Sequence, residues 1–159
     1  MNSVVIYASR HGNTRRVAEA IANELRKRGE VHVFSAEHAP AILPPHTDLV
    51  VVGGPTEAHR MMEPVAELFD RFATGALSGK AAAAFDTRLR WPVWLSGSAS
   101  AGIVKRFERA GARVIAPQVS FFVTGKLPEL EPGELTRAAA WAASLPSLVE
   151  TKEPVAAGL

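Results

Sequence analysis

Residues 4–25 read VVIYASRHGNTRRVAEAIANEL, an apolar run followed by a short polar stretch and then a helical pattern. The apolar run Val4–Ala8 lacks polar alternation, which is typical of a strand buried on both faces of a sheet. Apolar residues then recur at helical spacing over Val17–Leu25, which predicts an amphipathic helix. Ser, Thr and Asn are common helix caps, but Ser9–Thr14 contains more polar residues than a cap requires. We therefore expect this loop to hold a ligand.

The same alternation of strand and helix continues along the chain. Strand-like runs lie at Val4–Ala8, Val31–Ser35, Leu49–Gly53, Ala81–Asp86 and Arg113–Ile115, the last of which resumes at Ser120–Val123. Helical patterns separate them over Val17–Leu25, Val65–Phe72, Ala99–Ala110 and Leu135–Leu145. Buried strands joined by right-handed helical crossovers form a parallel sheet with helices on both faces, so we predict an α/β fold, a three-layer α/β/α sandwich. We expect one domain over residues 1–145 and a flexible C-terminal tail over residues 146–159.

Composition restricts the class of protein. The chain has 159 residues, 47% of them hydrophobic, which suits one globular domain with a buried core. Its net charge of +2 is too small to indicate a nucleic-acid partner. It contains no cysteine, which excludes disulfides and thiolate metal sites, and we expect no metal. The apolar runs are too short for a membrane span and Met1 is followed by no leader pattern, so we expect a cytoplasmic location.

The loops at the carboxyl ends of the strands form the predicted ligand site, because open parallel sheets bind ligands there. Three such loops carry polar residues: Ser9–Thr14, Gly54–Met62 and Thr87–Ser98. In the first, unpaired amides at the helix start attract negative charge, and Gly12 lets the backbone approach it closely. This loop lacks both the Gly-Lys-Ser/Thr of triphosphate sites and the G-x-G-x-x-G of dinucleotide sites. We interpret it as a site for a monoester phosphate.

The three loops together resemble those of flavodoxins. SRHGNT at 9–14 resembles the flavodoxin phosphate loop T-x-T-G-x-T, and GGPT at 53–56 is similar to the second flavin loop of that family. WLSGSA at 94–99 is similar to the Trp-containing loop in the flavodoxin domains of flavodiiron proteins. The resemblance spans residues 3–145. It implies FMN as the cofactor and a flavodoxin-like five-stranded parallel sheet in the order 2-1-3-4-5.

The resemblance also implies which residues contact the FMN. Residues 9–14 would hold the phosphate, and residues 87–89 would offer backbone groups to the pyrimidine edge. Trp94 is the first candidate to stack on the ring, and Trp91 is the second. His59 or Met61 would cover the opposite face. The implied cofactor-binding residues are Ser9, Arg10, His11, Gly12, Asn13, Thr14, Pro55, Thr56, Glu57, Ala58, His59, Thr87, Arg88, Leu89, Trp94 and Gly97.

Three features depart from the family pattern. TEAHRMM at 56–62 has no internal Gly, and non-Gly residues resist the peptide flip by which flavodoxins often accept a hydrogen bond from the reduced flavin. We therefore do not expect a strongly stabilised semiquinone. His11 stands where flavodoxins have Thr or Ser, although an imidazole can also donate a hydrogen bond to a phosphate. Arginines lie in or next to all three loops, where low-potential flavodoxins generally carry acidic residues. We expect Arg88 to act on the flavin, because positive charge favours its anionic reduced form, and we expect Arg15 to be solvated.

The predicted function is that of an electron-transfer flavoprotein. No residue is identified as catalytic, since Asp86 at a strand end is interpreted as a turn or cap residue. We favour an electron carrier with a redox partner protein, because no added segment for a nicotinamide is evident. One alternative is an FMN-dependent NAD(P)H:quinone-type oxidoreductase with a small-molecule electron acceptor. A second alternative is a flavodoxin-fold protein that no longer binds flavin, so the sequence leaves open whether the protein is an enzyme.

Overall fold

The computed structural model describes residues 1–57 and 60–151 of the chain. Strands and helices alternate along it as the sequence predicts. The strands are β1 (Ser3–Tyr7), β2 (Val31–Ser35), β3 (Leu49–Glu57), β4 (Arg60–Met61), β5 (Ala81–Leu89), β6 (Arg113–Val114) and β7 (Val119–Val123). The helices are α1 (Asn13–Leu25), α2 (Glu63–Arg71), α3 (Val93–Ser96), α4 (Ala99–Arg109) and α5 (Glu134–Glu150), and a 3-10 turn over Arg26–Arg28 follows α1.

The sheet follows the predicted order with two differences. Parallel strands lie in the order β2-β1-β3-β5-β6, and β7 also pairs with β5 in parallel, further along that strand. When β6 and β7 are taken as one interrupted strand, this is the predicted order 2-1-3-4-5. The described sheet has seven strands instead of the predicted five, because the last strand is split and because β4 adds a short antiparallel hairpin to β3.

Two apolar layers bury the sheet on both faces. Side chains alternate between the faces of a strand, so Val5 and Val51 pack with α1 and α5, while Val4 and Val52 pack with α2 and α4. All four valines are fully buried. This is the predicted three-layer α/β/α sandwich.

A close approach between β3 and β5 explains the first glycine of the GGPT motif. A Cβ atom on Gly53 would lie 2.1 Å from Cζ of Phe85, so only glycine fits beside that ring. The Phe85 ring packs edge-on against Phe121 and Trp141, with centroid distances of 6.1 and 6.4 Å. Gly53 therefore serves the core of the domain.

Helix α5 runs further than the sequence predicts. The sequence predicts an end at Leu145, because Pro146 follows it, but α5 continues through Pro146 to Glu150. A proline inside a helix removes one backbone hydrogen bond. Here Pro146 is buried and Leu148 packs against the core, so apolar contact offsets that loss. The predicted helix end is wrong, and residues 152–159 of the predicted tail lie outside the described residues.

The parallel strands β1, β3, β5 and β7 end at the same edge of the sheet. The loops after β1 and β5, the hairpin after β3 and the segment after β7 therefore share that edge, and the candidate site lies there. Within residues 1–57 and 60–151, no helix has the length and hydropathy required to cross a bilayer.

Candidate functional site

A cleft of about 210 Å³ opens at the carboxyl edge of the sheet. Its walls are the loop after β1, the end of β3, the end of β5 and the segment that follows β7. The lining residues that the sequence predicts are Ser9, Arg10, His11, Asn13, Thr14, Pro55, Thr56, Glu57, Thr87, Arg88 and Leu89. The three predicted loops and one further segment thus meet around a single cavity.

The loop after β1 shapes one wall of the cleft around the start of α1. Gly12 is the N-cap of this helix and has φ = 87°, a left-handed conformation that favours glycine. Its amide donates to Oγ of Ser9 at 3.0 Å, which closes the loop on itself. The amides of the first helical turn have no acceptor within the helix and lie at the positive end of its dipole. The loop therefore offers an anion site where the sequence predicts the phosphate.

The side chains of Asn13 and Thr14 are buried and connect this loop to other walls. Oγ1 of Thr14 lies 2.7 Å from Oγ1 of Thr87, so a hydrogen bond joins α1 to β5. Nδ2 of Asn13 donates to the carbonyl of Pro128 at 2.7 Å. The sequence assigns both side chains to a phosphate, whereas in the structure each one also holds a neighbouring wall in place.

The segment after β7 is the wall that sequence reasoning missed. The last residue of β7 and this segment together add four lining residues, which are Val123, Thr124, Gly125 and Pro128. The amide of Thr124 donates to the carbonyl of Glu129 at 2.9 Å, so residues 124–129 form a tight turn. The Gly and Pro of TGKLPE do signal a turn, but only the pairing of β7 with β5 brings that turn to the cleft.

The second loop is an extension of β3 that folds back as a hairpin. Thr56 pairs with Met61 and Glu57 pairs with Arg60, which brings β4 alongside the end of β3. Oε1 of Glu57 accepts from Nε of Arg10 at 2.8 Å. This ion pair is exposed and adds little to stability, but it links the first loop to the second across the cleft.

Arg88 holds the third loop together. Its Nε donates to Oγ of Ser120 at 2.9 Å, and its Nη1 donates to the carbonyl of Trp91 at 2.7 Å. The guanidinium carbon also lies 5.1 Å from the centroid of the Phe122 ring, within the range of a cation–π contact. The sequence predicts that this charge acts on the ligand, but the protein itself engages most of its donors.

Trp91 and Trp94, in the third loop, do not line the cleft. Trp94 lies in the short helix α3 and is 81% exposed, and Trp91 is 57% exposed. Val93 and Leu95 are exposed as well, so four apolar side chains within five residues face solvent. Gly97 ends α3 with φ = 72° and does not line the cleft either. The stacking role of Trp94 remains a prediction.

The remaining predictions concern His11, Ala58, His59 and Arg15. His11 is exposed and lines the cleft. Ala58 and His59 lie outside the described residues. Nε of Arg15 forms an exposed ion pair with Oε1 of Glu19 at 3.0 Å, which agrees with the expected solvated side chain.

Asp86 lies beneath the second and third loops, fully buried within β5. Its Oδ2 accepts hydrogen bonds from the hydroxyls of Ser98 and Ser100, both at 2.9 Å, and from the amide of Ser100 at 3.0 Å. This amide belongs to the first turn of α4, so Asp86 caps that helix from the neighbouring strand. Asp86 thus caps a helix as predicted, but it lies within β5, which continues to Leu89, and not at the predicted strand end.

Glu134, at the start of α5, supports β7. Its Oε2 accepts from the amide of Phe122 at 2.7 Å and from Nη2 of Arg137 at 2.6 Å. The hydrogen bond from Arg137 lowers the pKa of Glu134 below its ordinary value, although burial acts in the opposite direction. The ionised carboxylate thereby fixes the strand that precedes the fourth wall of the cleft.

Comparisons with known proteins agree with this architecture. A family model described as a flavodoxin domain matches residues 4–90, more than half of the chain. A flavodoxin from the domain Archaea has a TM-score of 0.75 at 22% identity, and the match covers 94% of this chain and 99% of that one. Oxidised flavodoxin 1 from Bacillus cereus also has a TM-score of 0.75 at 22% identity, with coverages of 96% and 99%.

A larger protein contains a similar domain. The flavodiiron protein from Giardia intestinalis has a TM-score of 0.75 at 20% identity, and the match covers 93% of this chain but 36% of that one. No curated protein matches the chain significantly. At these identities the structural likeness shows the fold alone, whereas the family model relates the sequence itself to flavodoxin domains.

Proposed function

The chain belongs to the flavodoxin family, and on that premise we propose that it binds FMN in the cleft and transfers electrons. The observation that carries the proposal is the start of α1, where Gly12 caps a helix whose first residues, Asn13 and Thr14, line the cleft. Such a helix start binds phosphate groups. Bound FMN would supply the redox chemistry, since it accepts and releases electrons.

The phosphate of FMN is assigned to the first loop. Oγ of Ser9 accepts from the amide of Gly12, so its own proton is available to a phosphate oxygen. When Thr87 is the donor in its hydrogen bond with Thr14, the proton of Thr14 is available in the same way. These hydroxyls and the amides of the first turn of α1 suit a dianionic monoester.

The rest of the cleft suits a flat ring with a polar edge. Apolar lining is supplied by Pro55, Leu89, Val123 and Pro128. A flavin ring requires such apolar faces together with hydrogen bonds at its edge. β5 pairs with β3 only as far as Thr87, so the backbone of residues 88–89 is no longer paired on that side. We assign the pyrimidine edge to this backbone and a ring face to Trp94.

A protein partner is proposed to dock beside the cleft. The exposed apolar surface of the third loop consists of Trp91, Val93, Trp94 and Leu95, each at least 44% exposed. Clustered apolar side chains on a surface mark interaction sites. A partner bound there would stand close to the flavin ring, which favours electron transfer between proteins.

FMN binding is tested by titration of the apoprotein, followed by flavin fluorescence and visible absorption. We expect one FMN per chain and weaker binding of riboflavin, because riboflavin lacks the phosphate that the first loop would hold. If riboflavin binds as tightly as FMN, the phosphate assignment is wrong. If neither ligand binds, the proposed cofactor is wrong.

The electron-carrier function is tested by anaerobic mixing of the FMN-loaded protein with NADH or NADPH. We expect the flavin absorption to persist, whereas dithionite should bleach it completely. Rapid bleaching by either nicotinamide would overturn the carrier function and show a reductase instead.

A further inference from the structure

A polar network centred on a buried carboxyl group connects the second loop to the third. We call it the Asp86 network; its members are Thr56, Asp86, Ser98 and Ser100. Asp86 and Ser100 are both fully buried, and Oδ2 of Asp86 accepts three hydrogen bonds from the two serines. It also accepts a longer one, at 3.3 Å, from Oγ1 of Thr56. Oδ2 of Asp86 thus accepts hydrogen bonds both from the end of β3 and from the start of α4.

The hydroxyl of Thr56 extends this network to the helix backbone. Its Oγ1 accepts from the amide of Ala99 at 2.9 Å while donating to Asp86. Ser98 is the N-cap of α4, and its Oγ accepts from the amide of Ala101 at 3.3 Å. The spacing between the two loops is therefore fixed by side-chain hydrogen bonds that meet on Asp86.

The other carboxylate oxygen indicates that this network has a role other than stability. Oδ1 of Asp86 is buried and has no hydrogen-bond partner among residues 1–57 and 60–151. A buried polar atom without a partner costs stability, and apolar side chains of similar volume often replace buried charged groups without loss. We therefore relate the Asp86 network to the positions of the second and third loops, and not to a gain in the free energy of unfolding.

The loops that Asp86 holds are those assigned to the flavin ring. Thr56 lines the cleft between Pro55 and Glu57, and Ser98 ends the segment that carries Trp91 and Trp94. The phosphate loop is built by different contacts, above all the Gly12 amide on Ser9. We propose that Asp86 is a positioning residue that sets the gap for the flavin ring and leaves the phosphate site unchanged. The inference rests on the proposed binding of FMN in this cleft.

The test compares FMN with riboflavin, a ligand that has the ring but no phosphate. In Asp86→Ala, we expect both dissociation constants to rise roughly tenfold or more, by analogy with the loss of the hydrogen-bond partners that orient metal ligands. The ratio of the two constants should stay at the wild-type value. In the apoprotein, hydrogen exchange at the amide of Ser100 should become faster, because this amide has lost its acceptor. Exchange at the amide of Ala99 should also become faster, because its acceptor, Oγ1 of Thr56, is no longer held by Asp86.

Two further variants separate positioning from folding. Asp86→Asn keeps an oxygen that can accept from Ser98 and Ser100, so it should restore most of the lost affinity. Ser100→Ala removes a single donor and should raise both dissociation constants roughly threefold, as for one ordinary hydrogen bond. This variant keeps the test valid if Asp86→Ala does not fold.

Thr47→Val is the control, because Thr47 is buried near the opposite end of the sheet, where it donates to the carbonyl of Pro44 at 2.6 Å. It should lower stability without changing either affinity.

The outcomes distinguish this inference from the proposed function. A wild-type protein that binds neither ligand overturns the proposed function and the inference with it. Wild-type binding with unchanged affinities in Asp86→Ala and Ser100→Ala overturns the inference alone. A loss of riboflavin affinity in Thr47→Val as large as in Asp86→Ala also overturns it, because the effect would then follow from global stability.

Discussion

The hydroxyl groups of Thr14 and Thr87 lie 2.7 Å apart, and both side chains are buried. Thr14 belongs to the first turn of α1 and Thr87 to the carboxyl end of β5. This hydrogen bond therefore fixes the predicted phosphate loop directly to β5, the neighbour of the central strand β3. It places one wall of the cleft at a set distance from another.

The Thr14–Thr87 pair predicts a measurable coupling energy. Thr87→Val keeps the shape of the side chain but leaves Oγ1 of Thr14 buried without its partner, so the free energy of unfolding should fall by about 1–2 kcal/mol. The double variant Thr14→Val/Thr87→Val has no unpaired hydroxyl and should be more stable than the sum of the single effects by roughly 1 kcal/mol. Urea denaturation of the four apoproteins measures this coupling. Strictly additive effects would show that the hydroxyls do not interact.

Gly12 and Gly133 offer a matched pair of substitutions at helix starts. They have φ angles of 87° and 85°, and a Cβ atom added to either would meet nothing within 4 Å. Alanine in this left-handed conformation costs about 1 kcal/mol, so Gly12→Ala and Gly133→Ala should lower the free energy of unfolding by similar amounts. Only Gly12→Ala should weaken FMN binding, because only it disturbs the amides assigned to the phosphate.

Titration of both glycine variants with FMN and with riboflavin checks this assignment. In Gly12→Ala, the affinity for FMN should fall more than the affinity for riboflavin, which lacks the phosphate. An FMN affinity that stays at the wild-type value in Gly12→Ala, or that falls equally in Gly133→Ala, would contradict a phosphate site at the start of α1.

Most of the fold could be predicted because its signals are local. Leu49–Gly53 contains no charged or hydroxyl side chain, so its burial on both faces of a sheet can be inferred from five residues. Ser9–Thr14 and Thr87–Leu89 follow such runs, and parallel strands bring their carboxyl ends to one edge. These facts alone predict three of the four walls of the cleft.

The features that escaped prediction depend on contacts between residues far apart in the chain. Pro128 reaches the cleft because β7 pairs with β5 and because Asn13 binds its carbonyl. The donors of Arg88 are engaged by Ser120 and by its own loop, which no spacing in the sequence reveals. Pro146 continues a helix only because tertiary packing outweighs its local preference.

Trp94 should affect flavin binding without affecting folding. Since its side chain is 81% exposed, Trp94→Ala should change the free energy of unfolding by less than about 0.5 kcal/mol. If Trp94 stacks on the ring, the same change should weaken FMN binding by about 1–3 kcal/mol, the range for an aromatic residue stacked on a base. Trp94→Phe keeps an aromatic face and should retain most of the affinity.

Fluorescence titration and urea denaturation of the two Trp94 variants decide the role of this residue. Unchanged FMN affinity in Trp94→Ala would exclude the stacking role and leave Trp94 to the surface proposed for a partner. A large loss of stability in Trp94→Ala would instead contradict its exposed position on α3.

The lowered pKa of Glu134 predicts that the protein loses stability as the pH falls. Hydrogen bonds from Arg137 and from the amide of Phe122 stabilise its carboxylate, and the pKa of Glu134 lies below the ordinary 4.5. A group with a lowered folded-state pKa stabilises the protein above its unfolded-state pKa, and this stabilisation is lost as the pH falls through the folded-state value. Glu134→Gln keeps an oxygen that can accept but replaces hydrogen bonds to a charged group by ordinary ones. It should therefore be less stable than wild type by about 1–1.5 kcal/mol at pH 7. The difference should shrink in urea denaturation below pH 4.5, the ordinary pKa of the carboxyl.

Glu108→Gln, at an exposed position of α4, serves as the control and should differ little in stability from wild type at pH 7. A constant difference between Glu134→Gln and wild type from pH 7 to pH 3 would show that ionisation of Glu134 contributes nothing to the stability of β7.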